Sequence, residues 1–589
     1  MDEIRQLQGW KLNTARFAPV RGLALALCMV GCTSGEMESN GADAQGGGNT
    51  AAAAGGAAVG ASGGSSVPGG AGAGSGSGSG TGAGTGISTV LNLAGEPQYL
   101  RLIRLTNGQW AQSVQDILKL SAPSGLERDF QSAVAGSTDF TNNELVLAVD
   151  QRAVADFQSA AEALAKQVTA STSSLSQVYS GTDGAGFIAS FGRRAFRRPL
   201  SSEESAAYLK LFNSGATLTG TATAFAKGAG LVIRAILQSP FFVYRTELGE
   251  AGSALSSYEI AAKLSLWLRN TTPSDELLDT AATAGKLDSS DGVATVATKM
   301  LEEPAAAKVI DHFHSELLHF DRYANISKLG VNGYDESLNT EYLEASTRFF
   351  DRIFTQGLGL KDILTSTKGF VGPRMAALYG VAAPANGYEE RDLGPQRVGY
   401  FSQMPFLSLY GLNGEADSIH RGVSINLDIL CAVLGPPATE LPPVPALAPG
   451  QTNRQRISTL TAGCGGACHN QQINPIGFAF ENFDGIGRYQ ETENGSLPID
   501  SSGEFEFVEG KKAFANAADL MQDLAAGTQA HQCYSKKLAS FAMQREIVAK
   551  DKPLLEAMAK ASIESGSTKR VILELVRSDA FRVRTAGNQ

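Results

Sequence analysis

The residues with the plainest chemistry are Cys464-Gly-Gly-Ala-Cys468-His469. Two thiols on a short loop, followed at once by an imidazole, are what covalent haem attachment needs: one thiol for each vinyl group and a nitrogen for the iron. That motif is normally written C-x-x-C-H, and here one extra residue separates the thiols. Gly465 and Gly466 lack the steric limits that a Cβ imposes, so the loop can bulge without moving the sulfurs far. Two other chemistries compete for the same residues. A disulfide between Cys464 and Cys468 is one, and zinc is the other, although no second cysteine pair lies nearby. If His469 holds iron on one side, the sixth position calls for a histidine, a methionine or an open site. His420, in Glu415-Ala-Asp417-Ser-Ile-His420-Arg421-Gly422, is the first choice, with Met404 and Met543 behind it.

The remaining reactive groups are sparser. Of six cysteines, Cys28 and Cys32 lie near the N-terminus, which leaves Cys431 and Cys533 as a disulfide candidate whose connectivity sequence alone does not fix. His312, His314 and His319 cluster with Asp311 and Glu316. On a helix His312 and His319 share a face while His314 does not, so a helical rim explains them more simply than a metal site. Arg193, Arg194, Arg197 and Arg198 have the charge to hold an anionic glycan or a lipid headgroup. Cationic stems lying along a helix are the plainer reading. No nucleophile, base and orienting acid can be assembled, which puts a hydrolase third among the function classes.

These groups have to be positioned, and the chain begins with a segment that positions nothing. Arg5, Lys11, Arg16 and Arg21 precede the apolar run Leu23 to Val30 and then Gly31-Cys32. That is the layout of an export signal, and the run is too short to span a bilayer. A small residue before a cysteine resembles the bacterial lipobox, so residues 1–31 read as a lipoprotein signal peptide and Cys32 as the lipidated N-terminus. The implied partner is a membrane held by the lipid, at the cell envelope. Residues 32–95 then read as a flexible, disordered Gly/Ala/Ser tether. Of 66 glycines, 19 fall between residues 41 and 90, beside a single charged residue, Asp43. Glycine strings inside it fail as nucleotide loops, because neither the strand nor the helix that such loops need is present. A net charge of −10 over 589 residues argues against nucleic acid as a partner.

Beyond the tether the pattern is helical, and the expected fold is a mainly α, multi-module body. Thr106 with Gln109, Ser201 with Glu204 and Ser256 with Glu259 are capping-box pairs, each followed by apolar residues at helical spacing. Leu231 to Leu237 reads as a buried helix ended by Ser239-Pro240. The proline-rich stretch 436–449 marks a boundary before the cysteine segment. Helical modules are expected over 96–175, 180–250 and 255–385, a cytochrome c-like module over 390–505 and a last helical module over 510–585.

The run Asn474-Pro475-Ile-Gly477-Phe478-Ala-Phe480-Glu481-Asn482-Phe483-Asp484-Gly-Ile-Gly487-Arg488-Tyr489 resembles the segment after C-x-x-C-H in large secreted proteins of planctomycetes and myxobacteria, named after domain of unknown function 1592 with associated modules 1587, 1595, 1588 and 1585. Other pieces agree in order: Leu102 to Thr106, Phe196 to Leu200, Leu237 to Tyr244, Tyr258 to Ser265, His420-Arg421-Gly422, Leu430-Cys431 and Ser578 to Phe581. The resemblance covers nearly everything after residue 98 and implies a cytochrome-like C-terminal half. The reading it favours is a haem c protein for electron transfer or haem-dependent redox chemistry, with Cys464, Cys468 and His469 at the haem and a redox protein or an anionic glycan as partner. The rival is a non-catalytic surface binding or scaffold lipoprotein in which the cysteines only staple the fold.

Overall fold

The computed structural model describes residues 90–91, 93, 102–135, 138–249, 253–435, 444–463 and 468–584. The signal peptide, Cys32, nearly all of the tether and Cys464 lie outside them.

Thr106 caps the helix Asn107–Leu118, its hydroxyl accepting from Gln109 N while the Gln109 side chain accepts from Thr106 N. The helix then buries Trp110, Val114, Ile117 and Leu118 on one face, as residues three and four apart must share a side. Ser202–Ser214 and Ser257–Leu268 start on the same reciprocal pair, from Ser201 with Glu204 and Ser256 with Glu259. Ala224–Leu237 stops at Ser239, and Pro240 opens a new short helix, Pro240–Val243, where its missing N–H costs nothing. The strand Leu102–Arg104 pairs antiparallel with Tyr244–Thr246, closing the first part of the body on itself.

Two apolar cores result. The smaller lies around Trp110, Phe187, Val232 and Phe242, between the helices Gln151–Thr169, Gly184–Phe196 and Ala224–Leu237. The larger runs from the helix Ser257–Leu268 through Pro304–Leu317 and Ser337–Thr355 to the C-terminal helices Thr528–Met543, Lys552–Ser565 and Thr568–Arg577. Strand is confined, among the described residues, to two-stranded pairs such as the hairpin Gly503–Phe507 with Gly510–Phe514. The body is therefore mainly α. Its packing reaches into the far end of the tether span: Leu91 is buried, and Val90 N donates to Gln532 Oε1 at 2.7 Å. Among the described residues no helix is long and apolar enough to cross a membrane.

Candidate cysteine-histidine centre

The helix Asn453–Thr461, capped by Thr452 and Gln455, leads toward the cysteine loop. Cys468 follows as a half-buried free thiol. From His469 the chain makes a π-helical turn, His469–Ile473, in which Ile473 N bonds Cys468 O at 2.9 Å, before a short α-helix, Asn474–Phe478. A second π-helical turn, Ile425–Ile429, lies against it, and Asn426 Nδ2 donates to Gln472 O at 3.0 Å. Wide turns of this kind expose backbone that a regular helix would cover, and they recur at functional sites.

The imidazole of His469 has a defined orientation. Thr461 Oγ1 gives its only proton to Ile457 O at 2.8 Å, so toward Asn474 it can only accept. Asn474 Nδ2 donates to it at 2.8 Å, which turns Asn474 Oδ1 toward His469 Nδ1 at 3.3 Å. An amide oxygen accepts, so Nδ1 carries the proton and Nε2 keeps its lone pair. Among the described residues Nε2 meets no partner, and an imidazole tied through one nitrogen with the other open is the form a metal ligand takes. As far as the described residues reach, the donor set of Cys468 thiol and His469 Nε2 fits a covalently held haem.

The scaffold behind this pair is buried and polar. Arg421 has no exposed surface, and its five N–H groups meet five carbonyl oxygens, those of Leu407, Tyr410, Phe480, Phe483 and Asp484, at 2.7 to 3.0 Å. It clamps the run 480–484 to the helix Ser418–Ser424. Burial lowers its pKa to about 10, so it stays charged at neutral pH. The same helix meets Asn474–Phe478 without side chains between them: a methyl at Gly422 would strike Ile473 O, and one at Gly477 would strike Ser418 O. Glu481 is buried, accepts from Ser418 Oγ and from Asn453 Nδ2, and is pushed up by burial to about 7. Sequence reading assigned no role to Thr461, Asn474, Asn453, Glu481 or Arg421. The glycines at 422 and 477 were the one signal of close approach.

The other sequence candidates are placed as follows. His420 sits on Ser418–Ser424 with its side chain 67% exposed and Nδ1 on Asp417 Oδ2 at 2.7 Å, a contact that raises its pKa. Met404 and Met543 are both buried in the larger core. His312 pairs with Glu316 at 2.9 Å. His314 is buried between Ile310 O and Tyr534 Oη and held by burial down to about 3. Among the described residues no group of three His, Cys, Asp or Glu side chains could hold a metal ion. The four arginines each have protein partners. Arg197 is buried on the carbonyls of Phe241, Phe242 and Tyr244, and Arg194 donates to Val178 O. Arg193 pairs with Asp275 and Asp279, and Arg198 with Glu204.

Cys431 and Cys533 form a disulfide with Cα atoms 5.4 Å apart, which ties the chain just after Ile425–Ile429 to the helix Thr528–Met543. Five family models match in chain order, each described as a protein of unknown function: DUF1587 over residues 104–170, DUF1595 over 184–247, DUF1592 over 255–381, DUF1588 over 397–493 and DUF1585 over 510–581. The fourth carries the name PSCyt3, which points to a cytochrome-like module, and it contains the whole cysteine-histidine centre. Neither curated proteins nor solved structures give a match.

Proposed function

We propose, for a chain that belongs to the multi-module family built on domains of unknown function 1587, 1595, 1592, 1588 and 1585, an envelope-anchored haem c protein that transfers electrons or carries out haem-dependent redox chemistry. The observation that carries this reading is the His469 imidazole, held through Nδ1 and without a partner at Nε2 among the described residues, next to the free thiol of Cys468.

Cys464 and Cys468 would hold the group covalently and His469 would bind its iron. Haem bound there supplies a one-electron centre whose potential depends on its axial ligands and burial. The protein's own part is orientation. Thr461 fixes Asn474, Asn474 fixes the tautomer and ring plane of His469, and Arg421 holds the surrounding loops so that little has to move when charge changes. His420 remains the first candidate for the second axial position, since its bond to Asp417 leaves Nε2 without a partner among the described residues, with Met404 and Met543 behind it. Lipidation of Cys32 and anchorage at the periplasmic or cell-surface face rest on the signal layout.

Protein made in a host with cytochrome c maturation tests the reading. It should keep a red chromophore through denaturation and acid-acetone extraction, and its native N-terminus should be lipid-modified Cys32 by mass spectrometry. Colourless, correctly exported protein with a Cys464–Cys468 disulfide would overturn it in favour of the scaffold lipoprotein.

A further inference from the structure

Away from the cysteine-histidine centre the body holds a cleft of about 780 Å³, within the size range of ligand sites. Three of the matched segments wall it: Arg104 and Asn107 from the first, Trp267, Asn270 and Lys308 from the third, and Gln544 from the last.

Its charge is unbalanced. Arg104 is 6% exposed, with Nε on Leu147 O at 3.3 Å and Nη1 on Asn107 Oδ1 at 3.2 Å, and among the described residues no carboxylate is hydrogen-bonded to it. Tyr244 and then Asp150 act on it electrostatically without a hydrogen bond; Asp150 lines a smaller adjoining cavity and caps a helix through Ala153 N. Lys308 is exposed and has no ion pair among the described residues. Of the other charged groups in the wall, Arg269 meets Glu303 through two bonds of 2.6 Å; His312 Nε2 lies 2.9 Å from Glu316, which stands behind the lining. A guanidinium withdrawn from water and lacking a counter-ion favours an anionic ligand.

The neutral lining is rich in carboxamides, which donate and accept at once and so suit adjacent hydroxyls; Asn107, Gln109 and Gln544 already bond within the protein, and Asn270 is the one whose side chain has no hydrogen bond to another described residue. Asn270 and Gln544 both sit just past helix ends at φ 56° and 59°, the left-handed conformation that closes a helix, and both line the cleft. Trp267 Nε1 and Asn142 Oδ1, atoms of lining residues, are buried with no partner among the described residues.

We propose that this cleft binds an acidic oligosaccharide, with carboxylates toward Arg104 and Lys308 and hydroxyls toward the carboxamides. The site is independent of whether haem is bound. It also differs from the Arg193 to Arg198 cluster, whose charges are already engaged.

Calorimetric titration of the full chain with the trimer of galacturonic acid and with the neutral galactose trimer separates the contributions. The acidic trimer should bind at least about tenfold more tightly, and more weakly as salt rises. Lys308→Gln should weaken it about fivefold, while Lys299→Gln, an exposed lysine outside the cleft, should not. Arg104→Gln should weaken it further; if that variant fails to fold, Lys308→Gln and Asn270→Ala carry the test. Equal binding of the two trimers, binding of neither, or an equal effect of Lys299→Gln would overturn the proposal.

Discussion

Asn474 joins Thr461 to His469, taking 2.8 Å to the hydroxyl with its nitrogen and 3.3 Å to the imidazole with its oxygen. The direction of the first bond dictates the direction of the second. In the chain without haem, His469 should therefore carry its proton on Nδ1, visible as an unprotonated Nε2 resonance in ¹⁵N NMR at a pH where the ring is neutral. Asn474→Ala removes the acceptor and should let the proton populate Nε2, at a stability cost of about 1 kcal/mol for the lost bonds. An unchanged tautomer in the variant would show that Asn474 does not set it.

Arg421 is the residue on which the module's loops converge. Arg421→Met keeps the bulk but removes five hydrogen bonds and leaves the carbonyl oxygens of Leu407, Tyr410 and Phe483 without a donor among the described residues, while Phe480 O and Asp484 O keep the N–H groups of Phe483 and Gly487; the loss is about 5 kcal/mol if each bond contributes roughly 1. Arg421→Lys offers three donors on a point charge and should recover only part of it. Chemical denaturation followed by circular dichroism, with hydrogen exchange across 405–490, should show both variants weakened there first. A variant within 1 kcal/mol of the parent would contradict this role.

The contrast between Arg421 and the capping residues shows which features sequence could reveal. Thr106 with Gln109, Ser201 with Glu204 and Ser256 with Glu259 act within one turn, so spacing alone identifies them, and the mainly helical body follows from such local signals. A guanidinium gives no such sign. Arg193, Arg194, Arg197 and Arg198 read as one cationic patch, yet Arg197 turns inward to the carbonyl ends around Phe242, because a buried chain end needs donors that no local pattern supplies. At the centre itself the cysteine and histidine types were visible, while the Asn474 relay depends on Thr461 lying one helix away and could not be.

The disulfide Cys431–Cys533 spans 102 residues of sequence and encloses the cysteine-histidine centre. Replacing both cysteines with serine should cost about 4–5 kcal/mol in the chain-entropy account. Parallel urea titrations of the parent and the double variant, both kept oxidised, measure it. Equal midpoints would mean that the bridge constrains nothing which packing has not already fixed.

Glu481 supplies the clearest pH dependence. Its carboxyl is raised from 4.5 to about 7, first by burial, while the donors Ser418 and Asn453 act against the rise. The folded chain thus keeps a proton through a range in which the unfolded chain releases it. Stability from this group is highest below pH 4.5 and falls as pH rises toward 7, by about 3 kcal/mol in total. Glu481→Gln removes the charge and keeps an acceptor for Asn453, so the variant should match the parent near pH 4.5 and exceed it at pH 8. Glu144 and Asp311, also raised to about 7 by burial, give a slope of the same sign, so the informative quantity is the difference between variant and parent. Urea unfolding of both at pH 4.5, 6 and 8 measures it directly. A difference that does not grow with pH would place the proton elsewhere than on Glu481.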